Sequence, residues 1–300
     1  MIEAVVVGRV GIDLYPNQLQ TPLREVRTYT RFVGGFAGNV ATGLARLGVR
    51  AAIVSRVGDD GHGEFVRDFL AAEGVDTRFL GVDREWPTPP TFCEIWPPDD
   101  FPILFYRRPT APDWQLSLDY VDADEVARSP VLFATGTGLA QSPSRETTLA
   151  LLRAHSGTSV FDIDWRPALW DDSASFERFA REAASAADVV VGNEEEVDAA
   201  GGLDALQELG VRALVVKRGA DGATLYENGD RSDVPGVPVE VVNGLGAGDA
   251  FAAALGYAIV RGLSLGEGVR LGNIAGAIVA TRVACSEAMP KLDELDAALV

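Results

Sequence analysis

Short apolar runs alternate along the chain with longer stretches in which apolar residues return every third or fourth position. The runs at 4–8, 51–57, 132–135, 159–163, 189–192, 213–216 and 239–242 are rich in Val, Ile, Leu and Ala and predict strands. Between them, 39–47, 63–73, 145–155, 176–186 and 203–209 carry helical spacing, and further helices are expected over 250–260 and 267–280. Strands apolar on both faces and separated by helices predict an α/β fold, a mostly parallel sheet covered on both sides. Ligands in such folds bind beyond the carboxyl ends of the strands. Two segments, 13–32 and 86–108, break the rhythm by being polar, proline-containing and weakly alternating. They predict strands that leave the main sheet and pair beside it as a small β lid. No repeat or low-complexity linker interrupts the chain, so 1–300 reads as a single domain with an inserted lid.

The most informative stretch is Asn243-Gly-Leu-Gly-Ala-Gly-Asp249-Ala-Phe251, between a predicted strand and a predicted helix. Gly246, Ala247 and Gly248 leave backbone N–H groups bare at a helix N-terminus, where the helix dipole adds positive potential and an anion can bind. Asp249 cannot serve the anion, because like charges repel. It can take a proton from a nucleophile that attacks the anion. Phosphoryl transfer to an alcohol needs this combination, since its catalysis is positioning, charge stabilisation and a base.

The other candidates are weaker singly. Gly34-Gly35-Phe36-Ala37-Gly38-Asn39 precedes a helix; the glycines permit close approach to a ligand, and Asn39 could cap the helix or present its amide to a polyol. Asp13, after the first strand, could accept hydrogen bonds from adjacent sugar hydroxyls or sit in a solvated turn. Asn193 and Glu196 have capping-box spacing, and the same pair could hold the water shell of a magnesium ion. Lys217-Arg-Gly219 follows a strand and could neutralise nucleotide phosphates, and 224–227 reads as its return strand. Arg107 and Arg108 in the lid, and Arg166 in Trp165-Arg-Pro167, could grip a substrate carboxylate or phosphate, or pair with surface acids.

Charge and composition narrow the field. A formal net charge of −18 argues against nucleic acid and anionic membranes as partners. No apolar run approaches the roughly 18 residues of a membrane span, and the start lacks a signal-peptide pattern, so a cytoplasmic location is expected. Cys93 and Cys285 are expected as free thiols. His62 and His155 stand in no nucleophile or metal pattern. A dinucleotide oxidoreductase lacks its G-x-G-x-x-G turn. A non-catalytic sugar-binding or regulatory protein is the alternative, but it has no need of the base Asp249.

Together, in order and spacing, Gly34-Gly35…Asn39, Asn193…Glu196, Lys217-Arg-Gly219 and Gly246-Ala-Gly-Asp249 resemble the ribokinase-like (PfkB) carbohydrate kinases over nearly the whole chain. The resemblance implies a three-layer ribokinase-like fold, ATP as phosphate donor, and Mg2+. It implies that Asp249 is the base, with Gly246, Ala247 and Gly248 as the anion hole. Asn193 and Glu196 would organise magnesium, Lys217 and Gly219 border the nucleotide, and Asn273 lie near the adenine. Asp13, Gly34, Gly35 and Asn39 would hold the sugar. Residues 8–16, 97–107 and 162–167 are more finely similar to the sugar-acid branch, above all the 5-dehydro-2-deoxygluconokinases of inositol catabolism, with 2-keto-3-deoxygluconate kinases next. That similarity implies that Arg107 and Arg166 face a substrate carboxylate. Neutral-sugar kinases of the fructokinase or ribokinase type are the remaining alternative within the family. Phe36 and Gly38 stand where the inositol-pathway kinases carry hydroxyl residues, which would place a phenyl ring near the sugar. Homodimers through the lid are frequent among such kinases, and the aromatic, apolar lid strands here would allow one, although the sequence does not fix the oligomeric state.

Overall fold

The computed structural model describes residues 1–298. Its strands are β1 (Ala4–Val7), β2 (Gly11–Pro16), β3 (Tyr29–Gly34), β4 (Ala51–Gly58), β5 (Leu80–Asp83), β6 (Pro90–Cys93), β7 (Ile103–Phe105), β8 (Val131–Thr135), β9 (Thr158–Asp162), β10 (Val189–Asn193), β11 (Ala213–Lys217), β12 (Ala223–Glu227) and β13 (Asp230–Val234). Nine of them form one sheet in the order β13-β12-β11-β10-β9-β8-β1-β4-β5. From β11 to β5 all pairings are parallel, whereas β12 and β13 add antiparallel at one edge.

Alternation along each strand divides the core in two. Val5 and Val7 face a layer with Leu149, Leu152, Phe176 and Ala180, from helices Ser144–Ala154 and Ser173–Ala184. Ala4 and Val6 face the opposite layer, with Val40, Leu44, Phe251 and Val269, from Phe36–Arg46, Ala247–Val260 and Leu265–Ala280. Each fully buried valine or leucine contributes about 1.5–3 kcal/mol relative to exposure. β1 is the strand from which the chain pairs both ways, to β4 and to β8. The carboxyl ends of β1, β8 and β9 therefore share one crevice, at a topological switch point where α/β folds bind ligands.

The two segments that break the apolar rhythm supply a second sheet, in the order β3-β2-β6-β7. It carries β2 and β3 as a hairpin, with β6 parallel to β2 and β7 antiparallel to β6.

Three expectations fail. Residues 239–242 form no strand: Val237, Val239 and Val241 line a cavity, and the N–H groups of Val242 and Asn243 bond to the Ala280 carbonyl. Their alternation reflects a cavity wall. β5 and β13 were not anticipated, because Leu80-Gly-Val-Asp83 is brief and Asp230-Arg-Ser-Asp-Val234 is polar, as an exposed edge strand permits. The helix expected from 39 instead begins at Phe36 after Gly35, whose φ of 89° glycine adopts readily.

Candidate active site

The loop entering helix Ala247–Val260 is held from below by Asn243. This buried side chain accepts a hydrogen bond from Leu245 N–H at 3.0 Å and donates one to the Val283 carbonyl at 2.7 Å. Gly246 is the N-cap, in the left-handed region at φ 85°, and a Cβ there would press on Cys285. Asp249 stands in the first turn, as its sequence position implies. The Ala247 N–H reaches the Gly244 carbonyl at 3.4 Å. Among the described residues, the N–H groups of Gly248 and Asp249 have no backbone acceptor. Of the expected donors Gly246, Ala247 and Gly248, the Ala247 N–H is engaged because the turn closes back on Gly244, and the Asp249 N–H is free instead.

This turn is the wall between two cavities. On one side Gly244, Ala247 and Gly248 line a cleft of about 500 Å3, together with Lys217, Gly219 and Asn273. Gly272, Gly276, Ala277 and Ala280 give its floor a flat, small-residue surface. Asn273 donates to the Val234 and Pro235 carbonyls at 3.2 and 3.0 Å, fixing the far wall. On the other side Leu245, Gly246 and Asp249 line a narrower pocket with Asp13, Gly35, Asn39 and Arg166, roofed by Thr91, Cys93, Ile103 and Phe105 of the small sheet.

Asn39 lies within the helix and is not its cap, so the capping alternative fails. Its Nδ2 donates to Asp249 Oδ2 at 2.6 Å, and its Oδ1 accepts from the Ser286 hydroxyl at 2.5 Å. The amide thus orients the carboxylate. Burial raises the Asp249 carboxyl to about 6, a rise that the Asn39 hydrogen bond restrains. Asp13 is buried and accepts no hydrogen bond from a described residue. Burial raises its carboxyl to about 7, opposed by Arg9 and reinforced by Asp249. A Cβ on Gly34 would lie 2.1 Å from the Asp13 carboxyl group, and one on Gly35 2.6 Å from the Arg9 carbonyl. The close approaches that these glycines permit are to Asp13 and to the backbone of residue 9. Phe36 is buried in the core, away from the pocket, which corrects the expected phenyl ring near the sugar.

Asn193 and Glu196 form a complete capping box, with both hydrogen bonds at 2.8 Å. Glu196 Oε2 makes one of them and lies 4.0 Å from Lys217 Nζ, which is 3.1 Å from Asp162 Oδ2. Burial opposes the Lys217 charge, but Asp162 and Glu196 outweigh it and hold the ammonium pKa above its usual value. Lys217 Nζ lies beside Gly248, 3.4 Å from where a Cβ would stand, so a fixed positive charge adjoins the free N–H groups.

The largest departure concerns Arg107. It lines neither cavity. It is buried in an ion pair with Asp113 and stacks on Trp114, with 4.7 Å from guanidinium to ring centre. Asp113 in turn accepts from Val10 N–H at 3.0 Å, so the pair buttresses residues 9 and 10 from behind. Arg108 is exposed, 3.5 Å from Asp171. Arg9, Asp164 and the Thr135 and Thr137 hydroxyls were missed. Their signal was positional: each ends or follows a strand whose carboxyl end opens on the shared crevice.

The comparisons with known proteins agree with this architecture. The family model described as pfkB family carbohydrate kinase matches residues 1–292. The 5-dehydro-2-deoxygluconokinase of Shouchella clausii is 36% identical over 309 residues, covering 98% of this chain and 94% of that protein. Among solved structures, a fructokinase from Vibrio cholerae with fructose, ADP and calcium bound superposes with a TM-score of 0.90 at 27% identity, covering 100% of this chain and 99% of that one. An uncharacterized sugar kinase from Pyrococcus horikoshii in complex with ATP gives 0.85 at 28% identity, covering 98% and 99%. A turn that separates two cavities and presents an oriented carboxylate to one of them is thus found on a chain that belongs to the pfkB family of carbohydrate kinases, phosphotransferases that act on a sugar hydroxyl.

Proposed function

We propose that this enzyme transfers the γ-phosphoryl group of ATP to the terminal hydroxyl of a keto sugar acid, 5-dehydro-2-deoxygluconate first and 2-keto-3-deoxygluconate second. The observation that carries the reading is the turn at 244–249, which faces one cavity with Gly244, Ala247 and Gly248 and the other with Gly246 and Asp249. The cleft with Lys217, Gly219 and Asn273 takes the nucleotide, and the narrower pocket takes the sugar, with Asp13 accepting from its hydroxyls. Asp249, oriented by Asn39, takes the proton of the attacking hydroxyl at Oδ1 or Oδ2. The free N–H groups of Gly248 and Asp249, with Lys217, meet the charge that develops on the transferring group. Relatives named for a sugar acid support the substrate class, as does Arg166 in the sugar pocket.

Among the described residues, no cluster of three His, Cys, Asp or Glu side chains could cage a metal directly. A magnesium ion, which keeps most of its waters, fits the site only through them: Glu196 commits Oε2 to Asn193 N–H, and Oε1 remains for a hydrated ion. When bound, the ion neutralises phosphate charge. On this reading the enzyme works in the cytoplasm, in inositol catabolism.

The substrate class is tested by Arg166→Gln. The variant is expected to raise KM for the sugar acid at least about 30-fold, the scale of a lost charge-assisted hydrogen bond, and to leave KM for fructose within about threefold. Equal effects on both would remove the carboxylate from the account.

Leu104 of β7 and Tyr106 just after it are 45% and 58% exposed. We assign this face to a second copy of the chain. Analytical ultracentrifugation should give a dimer that Leu104→Asp dissociates; a monomeric wild type would refute it.

A further inference from the structure

We infer that Arg9, and not Arg107, is the partner of Arg166 in binding the substrate carboxylate. The inference rests on the sugar-acid reading and names the residues that enforce it. Arg9 follows β1 at the switch point and lines the sugar pocket with Asp13, Asp249 and Arg166. Its side chain is 11% exposed. Nε donates to the Thr137 hydroxyl at 3.2 Å, and the guanidinium carbon lies 5.4 Å from the Phe105 ring centre, so the fork is held between the end of β8 and the small sheet.

Its anchor is Asp164. One terminal nitrogen of Arg9 is 3.6 Å from Asp164 Oδ2, while Arg166 Nε is 3.0 Å from Oδ1. The Thr135 and Thr137 hydroxyls donate to Asp164 Oδ2 at 3.0 and 2.9 Å. Burial opposes ionisation here, but Arg166, Arg9 and the two hydroxyls hold the carboxyl at about 2, so Asp164 is an anion under all working conditions. One carboxylate thus sits between two guanidinium groups and engages each of them only in part. Among the described residues the terminal nitrogens of Arg9 make no hydrogen bond, so their N–H groups remain for a ligand. A carboxylate brought by the substrate matches the planar fork and the N–H groups it leaves unengaged. Arg107 has no such freedom, because Asp113 and Trp114 occupy it on both sides.

The test compares the sugar acid with its carboxamide analogue, which keeps shape and loses charge. Wild type and Arg9→Met are assayed on both by ADP release, beside Arg107→Met and a thermal melt of each variant. Arg9→Met is expected to raise KM for the acid at least 30-fold and to leave KM for the amide within about threefold, so that the discrimination between the two collapses. Arg9→Lys should recover part of it. Arg107→Met is expected to lower the melting temperature and keep the discrimination. If Arg9→Met weakens acid and amide equally, or Arg107→Met is the variant that erases the preference, the assignment is wrong. If the wild type itself does not prefer the acid, the sugar-acid reading fails first, and with it the basis for this inference.

Discussion

Asp249→Asn is expected to lower kcat by about 1,000-fold and to leave the KM for sugar within about threefold. A positioned general base contributes roughly 100- to 10,000-fold, and here the hydroxyl has no other acceptor of comparable strength in the turn. The substitution is close to isosteric. Its amide oxygen can still accept from Asn39 Nδ2, which is 2.6 Å from the native carboxylate, so the sugar pocket keeps its shape. The pH dependence follows from the same geometry. The base works only when ionised, and burial sets its carboxyl near 6, so kcat should fall on the acid side of about pH 6 and level off above it. Asp13, near 7, must also be ionised to accept hydrogen bonds from two hydroxyls with both oxygens, which places a second acid limb in kcat/KM. Stability runs the other way. Both carboxyls hold protons more tightly folded than unfolded, so between about pH 4 and 7 their contribution to stability falls as pH rises. Activity that shows no acid limb between pH 5 and 8, or an Asp249→Asn enzyme that turns over normally, would remove Asp249 from the chemistry.

Gly34→Ala is expected to be nearly as damaging, through a single methyl group. Its Cβ would lie 2.1 Å from the Asp13 carboxyl, deep inside contact distance. Gly34 is the end of β3 and Asp13 lies in the paired strand β2, so neither backbone can withdraw without breaking the hairpin register. The Asp13 side chain must rotate out of the pocket. Hydrogen bonds to a charged acceptor are worth about 1.5–3 kcal/mol each, so losing two should raise the sugar KM at least about 100-fold. Overpacking adds about 1–3 kcal/mol of destabilisation, readable as a lower denaturation midpoint. ATP binding in the cleft beyond the turn should change little, and isothermal titration with an ATP analogue would show this. A variant with unchanged sugar KM would mean that Asp13 does not touch the sugar.

The strongly periodic parts of the fold were legible in the sequence because buried parallel strands and their covering helices obey simple patterns. The failures have local causes. The helix at Phe36 began early because its cap is Gly35, which has no side chain to advertise a cap. Val239 and its neighbours imitate a strand because a cavity wall, like a sheet face, selects alternate valines. The build of the turn at 246–249 was readable because glycines followed by an apolar helical run predict a helix start, with Asp249 in its first turn. The choice among arginines was not. Whether Arg9 or Arg107 faces the pocket depends on Asp113, whose contact with Arg107 is a tertiary fact that spacing along the chain does not encode. Likewise Asn39 could be read as a cap or a ligand, and its bond to Asp249 spans 210 positions.

The account is tested most directly by ADP release with ATP and magnesium across 5-dehydro-2-deoxygluconate, 2-keto-3-deoxygluconate, fructose and ribose, with the phosphorylated position read by NMR. It predicts a kcat/KM for one of the two acids at least about 100-fold above either neutral sugar, with the phosphate on the terminal hydroxyl. Preference for fructose or ribose, or phosphate at another position, would contradict it.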